Sequence, residues 1–398
     1  MLIAVSLPAA AMDRPKDWVA PVPEQVPNHR ELWRNVVIEL SSYAKGRKKD
    51  FIVLVRGAPE LAVKGEREAL WEELRDPDGR TFEKRLPLGT VLRPYVKAVD
   101  GVVLDGLYCG PYAFDKPLDQ AVKDRKALDA AIAEEKKRGI VRPPVPMPMG
   151  PFSIDPNVEM ARHKEVKRQL EREERQRRVV YAIDAMRDQG RRILSIEDCR
   201  NQAEADKAAR NSDRDHVLTY AGIDIGRLDR LPHGHTRAEN AQPVTTITGA
   251  RNWLPMVRGD RFGTRAAWMM ALEGTNQDLL VVDVAHRGAD PLTKDDVKRL
   301  KYKQLGAPRL VLAQLPVGIA YDWRWYWQKG WQAGNPPFLF APNSEELGSF
   351  YTDVGDAKWK ELLGKTIAGI VDLGFDGVLI DDLDTFLWFE DLMPLPGG

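Results

Sequence analysis

Three aspartates, Asp381, Asp382 and Asp384, stand together directly after the apolar run 377–380. Carboxylates so close repel one another, a cost tolerated more readily where a cation, a sugar or a proton transfer makes use of them. A solvated acidic loop or a helix cap would give the same spacing. Other apolar runs end in the same manner. Arg56 follows 51–55, Asp105 follows 101–104, Glu197 follows 192–196, Asp283 follows 279–282 and Gln314 follows 310–313. A dense aromatic cluster, Tyr321, Trp323, Trp325, Tyr326, Trp327 and Trp331, adds rings that either stack on sugar faces or form a rim core.

The elements that must carry these residues alternate. One-faced helices are read at 31–46, 118–137, 158–189, 203–209, 265–272, 294–305 and 359–373. Between them lie largely apolar runs read as strands at 51–55, 101–104, 192–196, 217–220, 279–282, 310–313 and 377–380, with a further apolar segment at 253–257. Such runs are typical of parallel strands buried on both faces. Strand–helix alternation predicts a parallel sheet with crossover helices, and the count suits a barrel. In a barrel, residues directly after the strands share one functional rim.

Composition removes several alternatives. In 398 residues, 59 Lys plus Arg balance 59 Asp plus Glu, so no positive excess marks a nucleic-acid surface. No apolar run approaches the ~20 residues of a membrane span. Two cysteines exclude a disulfide scaffold and a cysteine-rich zinc site, and the six histidines are scattered apart from His233 and His235 in a polar loop. No Gly-x-Gly-x-x-Gly or phosphate loop follows a strand. Neither a cofactor nor a metal is expected.

The segment 374–384, Gly-Phe-Asp-Gly-Val-Leu-Ile-Asp-Asp-Leu-Asp, resembles the signature of endo-α-1,4-polygalactosaminidase-like glycosidases. Leu279 to Asp283, Pro291-Leu-Thr293, the stretch 310–327 with Gly318, Asp322, Arg324, Tyr326 and Trp327, and Asp356-Ala-Lys-Trp359 are similar to upstream parts of that family. The remainder of the family's barrel is matched N-terminally, by 31–61, 99–105 and 191–231. The resemblance implies a single (β/α)8 TIM barrel, circularly permuted, with strands six to eight N-terminal and strands one to five C-terminal. In that reading 1–30 is a leader, 31–232 the first barrel part with an inserted segment at 138–190, 233–248 a linker and 249–398 the second part. The Ser-x-Gly-Glu-x-Glu loop of the family is Pro-Val-Gly-Ile-Ala-Tyr at 316–321 here, without its glutamates, and Gly57 stands where an Asn is expected.

The resemblance further implies endo-acting hydrolysis of a galactosamine-type polysaccharide by two carboxylates. Asp381 is then the nucleophile or transition-state stabiliser, and Asp105 the general acid/base. Asp283, Asp384, Glu197, Arg324, Tyr326, Trp327 and Arg56 would contact substrate, the carboxylates attracting a cationic polymer. The alternative is a non-catalytic carbohydrate-binding barrel with an eroded site. A metal-dependent hydrolase is a third, remoter reading that lacks histidine ligands. Met1 to Ala11 is similar to the end of an export signal without its basic start, which suggests a secreted or periplasmic protein. Cys109 and Cys199 would then face each other at neighbouring strand ends, able to pair if their Cα atoms lie within ~7 Å.

Overall fold

The computed structural model describes residues 19, 21–78, 85–110, 113–114, 116–139, 156–232 and 236–395. The apolar start, the stretch 140–155 and the pair His233 and His235 lie outside the described residues. Eight strands form one wholly parallel sheet: β1 (Ile52–Arg56), β2 (Gly101–Asp105), β3 (Arg192–Cys199), β4 (Leu218–Ile223), β5 (Trp253–Met256), β6 (Leu279–Val282), β7 (Leu310–Pro316) and β8 (Gly377–Asp381). Their order is β4-β3-β2-β1-β8-β7-β6-β5, which bends the sheet into a nearly closed barrel wrapped by helices. No ladder joins β4 to β5. Their loops meet instead, where the Arg258 N–H donates to the Leu228 carbonyl at 3.3 Å.

The apolar runs become strands because both faces are covered: Val53, Leu54, Val55, Leu280, Val281, Val378 and Leu379 are all fully buried. The two halves of the chain join at β1 and β8, with Ile52 opposite Gly377 and Val55 opposite Ile380. Each half supplies four strands, so the expected division into three and five is corrected. The run read at 217–220 is a full barrel strand, Leu218–Ile223, paired with β3. The helix expected over 294–305 stops at Leu300, and an aromatic stretch read as loop contains a three-stranded antiparallel sheet, Ile319–Tyr321, Leu339–Pro342 and Ser349–Thr352.

Helix Ala357–Leu373 shows how the sequence aims the acidic loop. Asp356 caps it, its Oδ1 accepting from the N–H groups of Lys358 at 2.8 Å and Trp359 at 3.0 Å. Gly374 ends it at φ +92°, a left-handed turn that glycine adopts without strain, and the chain enters β8. The Trp359 indole donates to the Val317 carbonyl at 2.9 Å, fastening helix to site loop.

The segment 236–248 is built into the barrel floor. Lys303 and Asp278, both fully buried, pair at 2.5 Å. The Lys303 ammonium also donates to the carbonyls of Asn240 at 3.1 Å and Gln242 at 2.9 Å. Asp278 takes further hydrogen bonds from Asn240 and the Arg251 N–H. The joint between the halves is therefore a fixed part of the fold.

Cys109 and Cys199 form a disulfide with Cα atoms 5.2 Å apart, within the expected limit. It ties the loop after β2 to the end of β3 across 90 residues of sequence. Reduction is expected to cost ~2–4 kcal/mol through the freed unfolded chain. Urea unfolding with and without reductant, with Cys109→Ser/Cys199→Ser as reference, checks this. Among the described residues, no helix is long and apolar enough to cross a membrane.

Candidate active site

The strand ends of β1, β2 and β8 place Arg56, Asp105 and Asp381 at one rim. They line an open bowl of about 730 Å³ together with Asp382, Tyr321 and Arg258. Asp381 is buried to 4% exposure, so its contacts fix it tightly. Its Oδ2 accepts from Gln314 Nε2 at 2.6 Å and Arg56 Nη1 at 3.3 Å, and its Oδ1 from the Asp382 N–H at 2.9 Å. Arg56 also holds Asp105, Nε to Oδ2 at 3.0 Å. Burial works against the Arg56 cation, but Asp381 and Asp105 outweigh it and raise its proton affinity above the usual arginine value. The arginine thus stands between the two carboxylates that the resemblance implicated.

The remaining aspartates differ in character. Burial, followed by the charges of Asp381 and Asp384, pushes Asp382 well above the usual carboxylate range, with Arg56 opposing. Asp384 has an open face toward solvent, yet the protein around its carboxyl, then Asp381 and Asp105, pushes it up to about 6. Asp384 lines an adjoining cavity of about 180 Å³ with Asp105 and Gly57. Asp382 has φ +61°, uncommon away from glycine, and this turn brings its N–H back onto Asp381. The segment 316–321 supports the turn. Gly318 is required there, because a Cβ would meet Thr385 Oγ1 at 1.8 Å and the Asp382 carbonyl at 2.4 Å. The same segment sets the Tyr321 hydroxyl 3.5 Å from Asp382 Oδ2. Burial, then Asp382, holds that phenol in its protonated, donating form.

Several predicted contact residues lie elsewhere. Glu197 is fully buried and accepts the N–H groups of Leu107, Tyr108 and Cys109 at 3.1, 2.9 and 2.9 Å. Burial pushes it up to about 7, against those hydrogen bonds. It shapes the loop beside the disulfide and has no face left for substrate. Asp283 and Arg324 pair with each other at 2.5 Å and neutralise one another at the wall of a second cavity. Tyr326 packs on Trp359, and its hydroxyl accepts from the Tyr321 N–H at 3.1 Å. Trp327 stacks on Phe350 at 5.2 Å. Both rings belong to the wall behind the rim. Tyr321 and Trp323 are the cluster members that line the second cavity.

The sequence reading named Asp382 in the acidic cluster but gave it no role, and it passed over Arg258, which follows β5 almost directly. Arg227, Arg258 and Glu346 form a triad that no spacing betrays, with Glu346 Oε1 at 3.0 Å from Arg227 and 2.6 Å from Arg258. These arginines offset the expected acidic field, so the bowl carries mixed charge. Among the described residues, no group of three or more His, Cys, Asp or Glu is arranged to hold a metal ion.

Fold and site together define an α/β-barrel protein with an aspartate–arginine rim. No family model matches the chain. It is 26% identical over 155 residues to an uncharacterized protein of Methanocaldococcus jannaschii, covering 38% of this chain and 43% of that one. It is 33% identical over 78 residues to an uncharacterized protein of Deinococcus radiodurans, 20% of this chain and 25% of the other. A Thermotoga maritima protein, also uncharacterized, is 20% identical over 150 residues, 37% and 45% of the two chains. The chain spans less than half the length of these curated relatives.

Proposed function

We propose that the protein is a glycoside-hydrolase-like barrel that cuts within an amino-sugar, galactosamine-type polysaccharide. The observation that carries the reading is one bowl holding two unlike carboxyls: Asp381 paired with Arg56 and Gln314, and Asp382 with raised proton affinity. Glycosidic cleavage needs such a division, one carboxylate facing the developing positive charge and one acid protonating the leaving oxygen. Asp382 takes the acid role here in place of Asp105, which Arg56 already holds. The permuted strand order belongs to the same proposal, supported by the β1–β8 junction that joins the halves. So does an exported location, in keeping with the disulfide.

The test is release of new reducing ends from a panel of amino-sugar polysaccharides, and silence across the panel would count against the reading. One observation favours a second reading, a binding barrel without catalysis: Arg56 satisfies both Asp381 and Asp105 in the same arrangement.

The pH profile supplies a sharper check. Activity that needs protonated Asp382 is expected to fall as pH rises and that proton is lost. Asp384 ionises at about 6, and its negative charge helps Asp382 keep its proton. Asp384→Asn removes that charge, so the alkaline limb of kcat/KM is expected to move to lower pH. An unmoved limb would assign the proton to another group.

A further inference from the structure

The bowl at Asp381 does not end at Tyr321. Arg258, Gln314, Tyr321 and Glu346 also border a second cavity of about 480 Å³ that runs outward to Trp323 and Arg287. A polymer lying across Asp381 therefore has a continuous path from the acidic loop to Trp323.

Arg287 sits at the tip of a hairpin whose strands are Ala285–His286 and Asp290–Pro291. It adopts φ +52°, and Gly288 follows at +69°. A Cβ on Gly288 would stand 2.1 Å from Trp323 Cδ1, so the tip is pressed flat against the indole. The ring is backed by Tyr321, centroids 4.6 Å apart, and by the Arg258 guanidinium at 5.2 Å. The indole is thus held fixed at the border of the outer cavity.

Of the four arginines that line the outer cavity, three have carboxylate partners and Arg287 has none among the described residues. Arg324 is paired with Asp283, and Glu346 with both Arg227 and Arg258. Asp260 lies 3.8 Å from Arg258. Arg287 donates to the Asp260 backbone carbonyl at 2.9 Å and forms no ion pair among the described residues. Glu345, exposed like Asp260, borders both cavities, whereas Arg287 lines only the outer one. Beyond Trp323 the path therefore meets a cation, Arg287, that no carboxylate among the described residues engages.

We infer that the outer cavity is a subsite for a sugar bearing a carboxylate. The polymer would then be a copolymer with an acidic sugar next to the amino sugar held at the bowl. This rests on the carbohydrate reading above. A planar guanidinium presents paired N–H groups that fit a carboxylate, and an arginine without an ion pair has them to offer.

The test uses Asp381→Asn protein, titrated by calorimetry at low salt with four probes. These are an α-1,4-linked oligogalacturonate, its methyl ester, an α-1,4-linked oligogalactosamine and a sulfated galactan oligomer. The acid is expected to bind about tenfold or more tightly than its ester, the scale of a charge-assisted hydrogen bond. Arg287→Ala in the same background should bring that ratio to about one, and Arg287→Lys should recover part of it. Matched thermal midpoints would show that both variants fold. Equal binding of acid and ester, or a preference that survives Arg287→Ala, overturns the subsite, and tighter binding of the sulfated oligomer overturns its assignment to a carboxylate. If oligogalactosamine binds while acid and ester do not differ, the subsite alone fails. If none of the four probes binds, the carbohydrate reading fails with it.

Discussion

Replacing Asp381 by asparagine is expected to slow glycosidic cleavage by ~10³-fold or more while leaving polysaccharide binding largely intact. The amide has the size of the carboxylate and keeps one oxygen for Arg56, so the rim should hold its shape. What it loses is the negative charge that faces the sugar as positive charge develops on it. The kept oxygen also serves Gln314, 2.6 Å away, whereas the amide NH2 falls against the Asp382 N–H, 2.9 Å from the carboxylate, so that one hydrogen bond is lost with the charge. Reducing-end release and calorimetric binding of the same polymer, measured on both proteins, separate the two effects. If wild type and variant bind alike and neither cleaves, the binding-barrel reading takes the place of the enzyme.

The largest loss of stability should come from the floor of the barrel. Lys303→Met leaves Asp278 fully buried with its carboxylate deprived of its cation. Removing one member of a buried pair costs ~3–5 kcal/mol, because the other charge stays in a poor solvent. Asn240 and the Arg251 N–H still reach Asp278 and soften the loss without replacing the ammonium. Urea unfolding of Lys303→Met, Asp278→Asn and the double variant reads the coupling. The double variant should be more stable than Lys303→Met alone, and a single-variant loss under ~1 kcal/mol would contradict a buried charge.

The barrel was legible in the sequence because strands buried on both faces leave largely apolar runs, and the seven read this way are all strands. Asp381 was legible for the same reason, as the residue where such a run stops. Glu197 shows where that rule fails. The apolar run stops at Ile196, but the strand continues to Cys199, so Glu197 lies within it and turns into the loop 107–109 instead of the bowl. Alternation along a strand decides which side a residue faces, and the last apolar residue does not mark the last paired one. Tyr326 and Trp327 were misplaced because their segment folds against its own small sheet, a long-range packing choice that composition does not encode. The triad of Arg227, Arg258 and Glu346 joins three loops far apart in the chain, and no local pattern announces it.

That triad sits beside the one gap in the barrel wall. Between β4 and β5 the edges carry no ladder, and the loops that follow them hold Arg227 and Arg258, both gripping Glu346. Backbone groups at an unpaired edge open at little cost, so this seam is where the cylinder should breathe first. An anion that takes the place of Glu346 between the two arginines would draw the same loops together. Filling the bowl and zipping the wall would then be two descriptions of a single equilibrium, and amide protons along the seam would keep time with occupancy.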